Sequence, residues 1–360
     1  MKKSPRVSIV VINYNYERFV EISISSALTQ TYADVEVVVV DDASTNSSPE
    51  VIKSFGDRVI PVLKIMNAGH GSAFNTGFEH SSGDIVIFLD SDDYLHPDGV
   101  SRIVEAFRDG VVLVQSRLDL VDGDGTLLDV YPAGEIPFDN GDVVPLLLDR
   151  GRYNSTVTSG LAYSREVLEK VMPMPVDDFA RGGDGYLVTV APLFGKVASV
   201  EIPTGAYRLH GANHSQFAKK LAERARWRVE HDLVRYRALE RVAGTLGLSV
   251  APDPGLRDPL HIEERLLSST CEKDVRVCPE DSRMALAMHG VRAIGRARMS
   301  RPRKLIFQAW YGLSGIVPRR AAYSLVSWKL SVDSRPLLMR RVVKLARRVL
   351  GSGLKLDKTA

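Results

Sequence analysis

Two runs of β-branched residues, "RVSIVVIN" (6–13) and "DVEVVVVDD" (34–42), each have the length of one strand and are apolar almost throughout. A strand with one wet face alternates apolar and polar side chains, whereas a run without alternation is covered on both faces. Between them, "YERFVEISISSALTQT" (16–31) spaces Phe19, Val20, Ile22, Ile24, Ala27 and Leu28 near a helical period. Strand, helix and strand in this order make a βαβ unit, and its crossover requires the two strands to be parallel.

The scheme repeats along the chain. "SSPEVIKSFG" (47–56) predicts a second helix, with Pro49 in its first turn and Gly56 at its end. "VIPVLKI" (59–65) predicts a strand, "GSAFNTGFEHS" (71–81) a helix, and "DIVIFLD" (84–90) a fourth strand. "HPDGVSRIVEAFRDG" (96–110) predicts another helix, and "VVLVQSRLDLVDGDGTLL" (111–128) two strands joined by a turn around Gly123 to Gly125. The pattern from 141 to 216 is looser. It predicts a short strand, a helix from about Ser164, a helix opening at about Asp184, and a strand followed by a loop over 196–215. Residues 217–243 are amphipathic, with Phe217, Leu221, Ala225, Val229, Leu233, Tyr236 and Leu239 on one face. That face could pair two subunits as a homodimer. "APDPGLRDP" (251–259) reads as a linker, and the remainder as helical.

A chain of 360 residues exceeds one average domain. The division predicted is a mixed α/β domain over 1–216 and a basic, mainly helical extension over 217–360. Cys271 and Cys278 are the only cysteines, so no disulfide framework is expected and a reducing, cytoplasmic setting is. "MKKSPRVSIVVINYN" reads as a first strand rather than a signal peptide, and no apolar run is long enough to predict a spanning helix. Residues 1–216 carry a net charge of −13 and residues 217–360 a net of +16. Two halves of opposite sign suggest two jobs, the basic one facing phosphate or anionic lipid.

In parallel sheets ligands bind beyond the carboxyl ends of the strands. Asp41-Asp42 and Asp90/Asp92/Asp93 both follow strands at that edge. Like charges this close repel unless a cation or hydrogen bonds compensate. The spacing Asp90-Ser91-Asp92 lets two carboxylates of one turn face one site, which is how Mg²⁺ or Mn²⁺ is held together with substrate phosphates. Acidic turn formers or helix caps are the other reading of such a cluster, and Asp93 suits a cap. No GxGxxG follows the first strand and no GxxxxGK[ST] occurs, which argues against a Rossmann cofactor or a P-loop.

Taken in order and spacing, "VSIVVINYNYERFVEISISSALTQTY", "VEVVVVDDASTN", "NAGHGSAFNTGFEHSSGDIVIFLDSDD", "GLAYSREVLEKV", "GGDGYLVTVAPLFGKV" and "YRLHGANHS" resemble the family 2 glycosyltransferases with the GT-A fold. The resemblance covers about residues 6–216. It implies a mostly parallel mixed sheet flanked by helices, and inverting transfer of a sugar from a nucleotide-diphosphate donor with a divalent Mn²⁺ or Mg²⁺. It places Asn13, Tyr14 and Asn15 at the nucleotide, Asp42 at the base with Asp41 beside it, and Asp90 near the ribose and diphosphate. Asp92 becomes the main metal ligand, His210 a further metal or phosphate contact, and Asp184 the general base. Each has a plainer reading: Tyr14 packing on a helix, Asp41 bonding Ser44 in a turn, Asp184 capping a helix, His210 as a structural histidine. His70, His80 and His96 show no ligand spacing and are read as surface or loop residues.

The chain departs from the family at "GSAFN", where Ala73 and Phe74 stand in place of a frequent Arg; Arg165 or Arg208 would then supply the phosphate contact. Gly183-Asp184 leaves one carboxylate where relatives often have a pair. The Q/RxxRW signature of processive synthases is absent, so single-sugar transfer is expected. In the tail, residues 283–360 hold 18 basic and 2 acidic residues, interleaved with Leu305, Ile306, Phe307, Trp310, Tyr311 and Trp328. A basic amphipathic segment of this kind suits the surface of an anionic membrane, which would bring the enzyme to a lipid-linked or glycan acceptor at the inner face of the plasma membrane. Packing on the acidic half is the other reading. No nucleic-acid reader motif occurs, and Cys271, Cys278, His261 and His289 match no familiar zinc spacing. The rival function is a non-catalytic GT-A-like domain that recruits a polysaccharide assembly complex to the membrane.

Overall fold

The computed structural model describes residues 4–211, 221–271, 277–297 and 299–330. They form two compact units. The first takes in the chain through Leu147, then Tyr153–Gly211 and Arg241–Gly247; the second takes Leu148–Arg152 and the chain beyond Gly211 other than Arg241–Gly247.

The first unit opens with β1 (Val7–Asn13), α1 (Val20–Leu28), β2 (Val35–Asp41), α2 (Ser48–Lys53), β3 (Ile60–Leu63) and α3 (His70–Glu79). β4 (Ile85–Asp90), the two-residue β5 (Tyr94–Leu95) and α4 (Gly99–Ala106) follow. Then come β6 (Val111–Ser116), β7 (Leu118–Asp122), β8 (Leu127–Tyr131) and α5 (Val144–Arg150), whose last residues from Leu148 belong to the second unit. β9 (Leu161–Ser164), α6 (Arg165–Val171), α7 (Gly183–Val190), β10 (Lys196–Val200) and β11 (Gly205–Leu209) complete it.

Seven strands form one sheet in the order β10-β6-β9-β4-β1-β2-β3. β1 pairs in parallel with both β2 and β4, β2 with β3, and β6 with β10, while β9 runs antiparallel to β4 and β6. The sheet is therefore mixed and mostly parallel. Val7, Ile9 and Val11 point to one face with Ile87 and Leu89, against Val20 and Ile24 of α1 and Val100 and Ile103 of α4. Val10 and Val40 point to the other face, where α3 passes so close that a side chain at Gly77 would meet Val10. Both faces are covered, which is why these strands read as unbroken apolar runs.

β5, β11, β7 and β8 form a second, four-stranded sheet. The run 111–128, read as two strands about one turn, contains β6, β7 and the start of β8, and β6 and β7 lie in different sheets. Arg117 marks the break. Its buried guanidinium pairs with Glu201 at 2.7 Å, donates to the Pro132 carbonyl at 2.7 Å and to the Ile136 carbonyl at 3.1 Å, and lies over the Phe138 ring. A charged residue so fully bonded turns the chain from one sheet to the next. The loop expected after β10 likewise contains β11, whose ladder partners come from distant sequence.

The second unit is helical: α8 (Leu221–Thr245), whose last turn belongs to the first unit, then α9 (Pro259–Ser269), α10 (Arg283–Arg296), α11 (Arg301–Ile316) and α12 (Arg319–Leu330). Leu221 and Ala225 of α8 share one core with Ile262, Leu266, Leu286, Phe307, Tyr311 and Val326. Leu221 and Ala225, two residues of the α8 face suggested for a homodimer, are thus buried against the chain's own helices; Phe217 lies outside the described residues. Residues 251–259 are not a linker. Pro254–Arg257 form a 3-10 turn with Pro254 and Gly255 buried, and Asp258 caps α9 by accepting from the Leu260 and His261 backbone N–H groups. Among the described residues no helix is long and apolar enough to cross a membrane.

Candidate active site

Asn13, Asp41 and Asp90 are the last residues of β1, β2 and β4, three neighbouring parallel strands. Parallel register puts their ends at one edge, with Asn13 opposite Asp41 and Ile12 opposite Asp90.

The first acidic pair is largely committed to loop structure. Asp41 is buried and accepts from Asn13 Nδ2 at 2.7 Å, from Ser44 Oγ at 2.6 Å and from the Ser44 backbone N–H at 2.8 Å. The bond to Ser44 is the turn reading of that residue. Asn15 sits at φ 62° and takes the Thr45 backbone N–H on its side-chain oxygen at 2.8 Å, while Tyr14 is exposed. Asp42 is also buried, paired with Lys64 and accepting from the Gly69 N–H at 2.7 Å. That pairing anchors the loop that delivers α3.

The second cluster is arranged differently. Asp93, suited on paper to a helix cap, is fully buried: it accepts from Ser159 Oγ at 2.6 Å and from the Arg208 backbone N–H at 2.9 Å, tying the turn to β11. Asp92 faces His210, with Oδ2 at 3.0 Å from Nε2. The imidazole of His210 is packed by Phe19 and, edge-on, by Tyr16. Asp90 stays partly open and lies 3.2 Å from His70 Nε2. Burial raises the Asp92 carboxyl above its usual range and the Asp90 charge adds to this, against the bond to His210. Burial, then the charges of Asp92 and Asp90, push Asp93 well above its usual range. The Tyr16 hydroxyl is raised by burial and by the same three carboxylates. Asp92 and His210 offer one carboxylate and one imidazole of the types that hold a divalent cation, and among the described residues no third acid or histidine closes with them into a three-ligand set.

Asp184 occupies the first turn of α7. α3 reaches that helix through backbone: the His70 N–H donates to the Ala180 carbonyl at 2.8 Å and the Gly71 N–H to the Phe179 carbonyl at 2.9 Å. Such closeness requires glycine. At Gly69, with φ 84°, a Cβ would lie 2.5 Å from the Ala180 oxygen.

Three residues escaped the sequence reading. His70, read as a loop residue, bonds Asp90 and also accepts the Gly183 N–H on Nδ1 at 3.2 Å. Its proton affinity is lowered by burial but raised overall by the bond to Asp90 and the charges of Asp90, Asp184 and Asp92. Tyr16 comes to the carboxylates because α1 begins only at Val20, leaving a turn over Tyr16–Phe19. Ser159 bonds both the Asp93 carboxylate and the Asp90 backbone N–H. The "NAGHG" context of His70 was the one available signal. Of the two arginines suggested for phosphate, Arg165 is at the wrong end of the sheet: it donates to the Gly83 carbonyl at 2.6 Å and to Ser81, ahead of β4. Arg208 is near but buried, donating to the Asp92 carbonyl at 2.9 Å and lying between the Phe19 and Tyr94 rings. In the second unit, Cys278, Glu280 and Asp281 are close enough to share an ion, yet Asp281 is already paired with Arg265.

The family model described as Glycosyl transferase family 2 matches residues 8–170. An uncharacterized glycosyltransferase of Nostoc sp. (strain PCC 7120) is 37% identical over 219 residues, covering 59% of this chain and 67% of that protein. The succinoglycan biosynthesis protein ExoO of Rhizobium meliloti is 30% identical over 216 residues, covering 58% of this chain and 61% of that protein. Among solved structures, the mannosyltransferase PcManGT from Pyrobaculum calidifontis, in complex with GDP-Man and Mn²⁺, matches at TM-score 0.46 and 20% identity, covering 91% of this chain and 85% of that one. The chain belongs to glycosyltransferase family 2. It is a glycosyltransferase, and its sheet is mixed and mostly parallel with acidic residues at the strand ends, the architecture that the resemblance to the GT-A members of the family implies.

Proposed function

We propose that this glycosyltransferase moves one sugar at a time from a nucleotide-diphosphate donor to a hydroxyl of a glycan or lipid-linked acceptor, with inversion, in cell-surface polysaccharide assembly. The observation that carries the reading is the contact of Asp92 with His210, beside Asp90 at the carboxyl end of β4. The name of the succinoglycan relative supports the polysaccharide context.

In this reading Tyr14 and Asp42 mark the nucleobase end, with Asn13, Asn15 and Asp41 shaping the loop around it. Asp90 faces the ribose and diphosphate. Asp92 and His210 would hold a divalent cation, which when bound neutralises charge on the diphosphate leaving group. Asp184 accepts the proton of the acceptor hydroxyl as its oxygen bonds to the anomeric carbon, and the bond from that carbon to the diphosphate oxygen breaks on the opposite side. The proton then passes to solvent.

The second unit is assigned to an anionic membrane surface that presents the acceptor. Phe307 and Tyr311, expected as membrane anchors, lie in its core, but Leu305 (67% exposed), Leu313 (48%) and Ile316 (63%) form an outward stripe on α11. Residues 283–330 contain no Asp or Glu, and Arg301, Arg319 and Arg320 flank the stripe. The remaining basic segment, 335–356, lies outside the described residues.

The deciding experiment titrates UDP, GDP and dTDP by calorimetry with Mn²⁺, with Mg²⁺ and with EDTA, then follows transfer from the matching nucleotide-sugar. Binding of one diphosphate that depends on the cation supports the proposal. Binding of equal strength in EDTA refutes the metal assignment.

A further inference from the structure

We infer that His70 is a positioning residue for sugar transfer, its imidazole linking the donor-side carboxylate of Asp90 to the first turn of α7, which carries Asp184. The inference rests on the proposed roles of Asp90 and Asp184.

Both ring nitrogens are used, in opposite senses. The Gly183 backbone N–H donates to Nδ1 at 3.2 Å, so that nitrogen is the acceptor. Nε2 then carries the proton and faces Asp90 Oδ1, also at 3.2 Å. The bond on one side thus selects the tautomer that can donate on the other. The ring cannot swing away freely, because it packs T-shaped against Phe74 at 4.6 Å between centroids, and Phe74 in turn stacks on Phe88 of β4 at 4.2 Å.

A histidine that merely filled space between α3 and α7 would leave these bonds to chance. The two segments are already joined without it, by the backbone bonds from His70 and Gly71 to Ala180 and Phe179 and by the glycines that let them touch. What the side chain adds is aim. It reaches a carboxylate that remains partly open at the mouth of the site. Donor and acceptor chemistry are contributed by segments about a hundred residues apart, and His70 is a group that touches both. A displacement of about 1 Å between reacting groups can cost on the order of a hundredfold in rate, so a rigid link at this point bears on turnover.

The test compares His70→Gln and His70→Leu in the full chain, with Asp184→Asn as control. Glutamine can donate to Asp90 through its amide nitrogen and accept from Gly183 through its oxygen, without charge; leucine fills similar space and makes neither bond. His70→Leu is expected to lose about tenfold or more in kcat with donor KM moved by less than about threefold, and His70→Gln to recover to within about threefold of wild type. Thermal unfolding of each sample separates this from loss of folded protein. Should His70→Leu fold poorly, His70→Asn, too short to span both partners, takes its place and is expected to show the same kcat loss. If the leucine or asparagine variant keeps wild-type kcat, or if glutamine is as impaired as leucine, the inference fails. If Asp184→Asn keeps wild-type activity, the base reading beneath it fails instead, whatever His70 does.

Discussion

His210 Nε2 lies 3.0 Å from Asp92 Oδ2, two side chains separated by 118 positions in the sequence. The contact joins the end of the second sheet to the turn after β4. With Tyr16 and Phe19 packed on the ring, the imidazole is held where a cation bound by Asp92 would find it as a second ligand. Asp92→Asn should leave the fold intact and weaken cation-dependent binding of the nucleoside diphosphate by about tenfold or more, with His210→Ala showing a smaller loss. Calorimetry with and without Mn²⁺ measures both; unchanged affinity in Asp92→Asn removes it from the metal site.

Asp42→Ala should weaken nucleotide binding even without a cation, since its proposed partner is the base. The same carboxylate anchors the loop before α3 through Lys64 and Gly69, so the nucleoside alone is the informative ligand. A loss for the diphosphate with none for the nucleoside assigns Asp42 to the loop and not to the base.

Asp184→Asn should bind donor normally and transfer sugar about a hundredfold more slowly, the typical worth of a positioned general base. Single-turnover rates at saturating donor separate the two effects. Activity within about threefold of wild type would exclude Asp184 as the base.

The stability of the helical unit should depend on a buried ionic cluster. Asp232 accepts from Arg152 at 2.6 Å and Arg235 at 3.0 Å and bonds His261 Nδ1 at 3.0 Å. Burial alone would raise its carboxyl, but Arg152, His261 and Arg235 more than reverse this and hold it far below the usual carboxylate range. A depressed carboxyl contributes stability that is complete above its unfolded pKa, near 4, and is lost progressively as pH falls below that value. Asp232→Asn should therefore destabilise this unit by about 3–5 kcal/mol at neutral pH, because it removes a buried charge shared by Arg235, His261 and Arg152, with Asp258 left as the remaining acid on Arg152, and should flatten the acid limb of its unfolding profile. Urea unfolding at neutral pH and near pH 3 tests the sign.

Full-length protein should bind anionic vesicles at low salt and release them as salt rises, each engaged basic residue contributing about 1 kcal/mol. Leu305→Asp with Ile316→Asp should abolish binding without unfolding the protein, since both side chains point to solvent. Cutting the chain near residue 282 is a poor alternative test, because α8 and α9 share one core with α10, α11 and α12. Cosedimentation that is unaffected by the double substitution would move the contact away from α11.

Much of the first unit could be read without coordinates. Unbroken runs of Val and Ile announce strands covered on both faces, and a helix between two of them admits only a parallel crossover, so the edge bearing Asp41 and Asp90 follows from chain order alone. Charge composition likewise separated an acidic half from a basic one. What the sequence could not decide is which of several similar acids does which job. Asp41, Asp90, Asp92 and Asp93 look alike in a string, yet Asp41 bonds Ser44 and Asn13, Asp93 bonds Ser159 and the Arg208 backbone, while Asp90 meets His70 and Asp92 meets His210. Those differences come from Ser159, Arg208, His210 and His70, which reach the cluster only after the chain has folded. Helical and strand periods report a residue's own neighbourhood along the chain, and hydrogen bonds across 20 to 118 residues leave no trace in them. For the same reason the apolar residues of α11 read together as anchors divide only in the structure, Leu305 and Ile306 being exposed while Phe307 and Tyr311 lie in the core: amphipathic spacing shows that a helix has two faces, and only packing against α9, α10 and α12 decides which of them is buried.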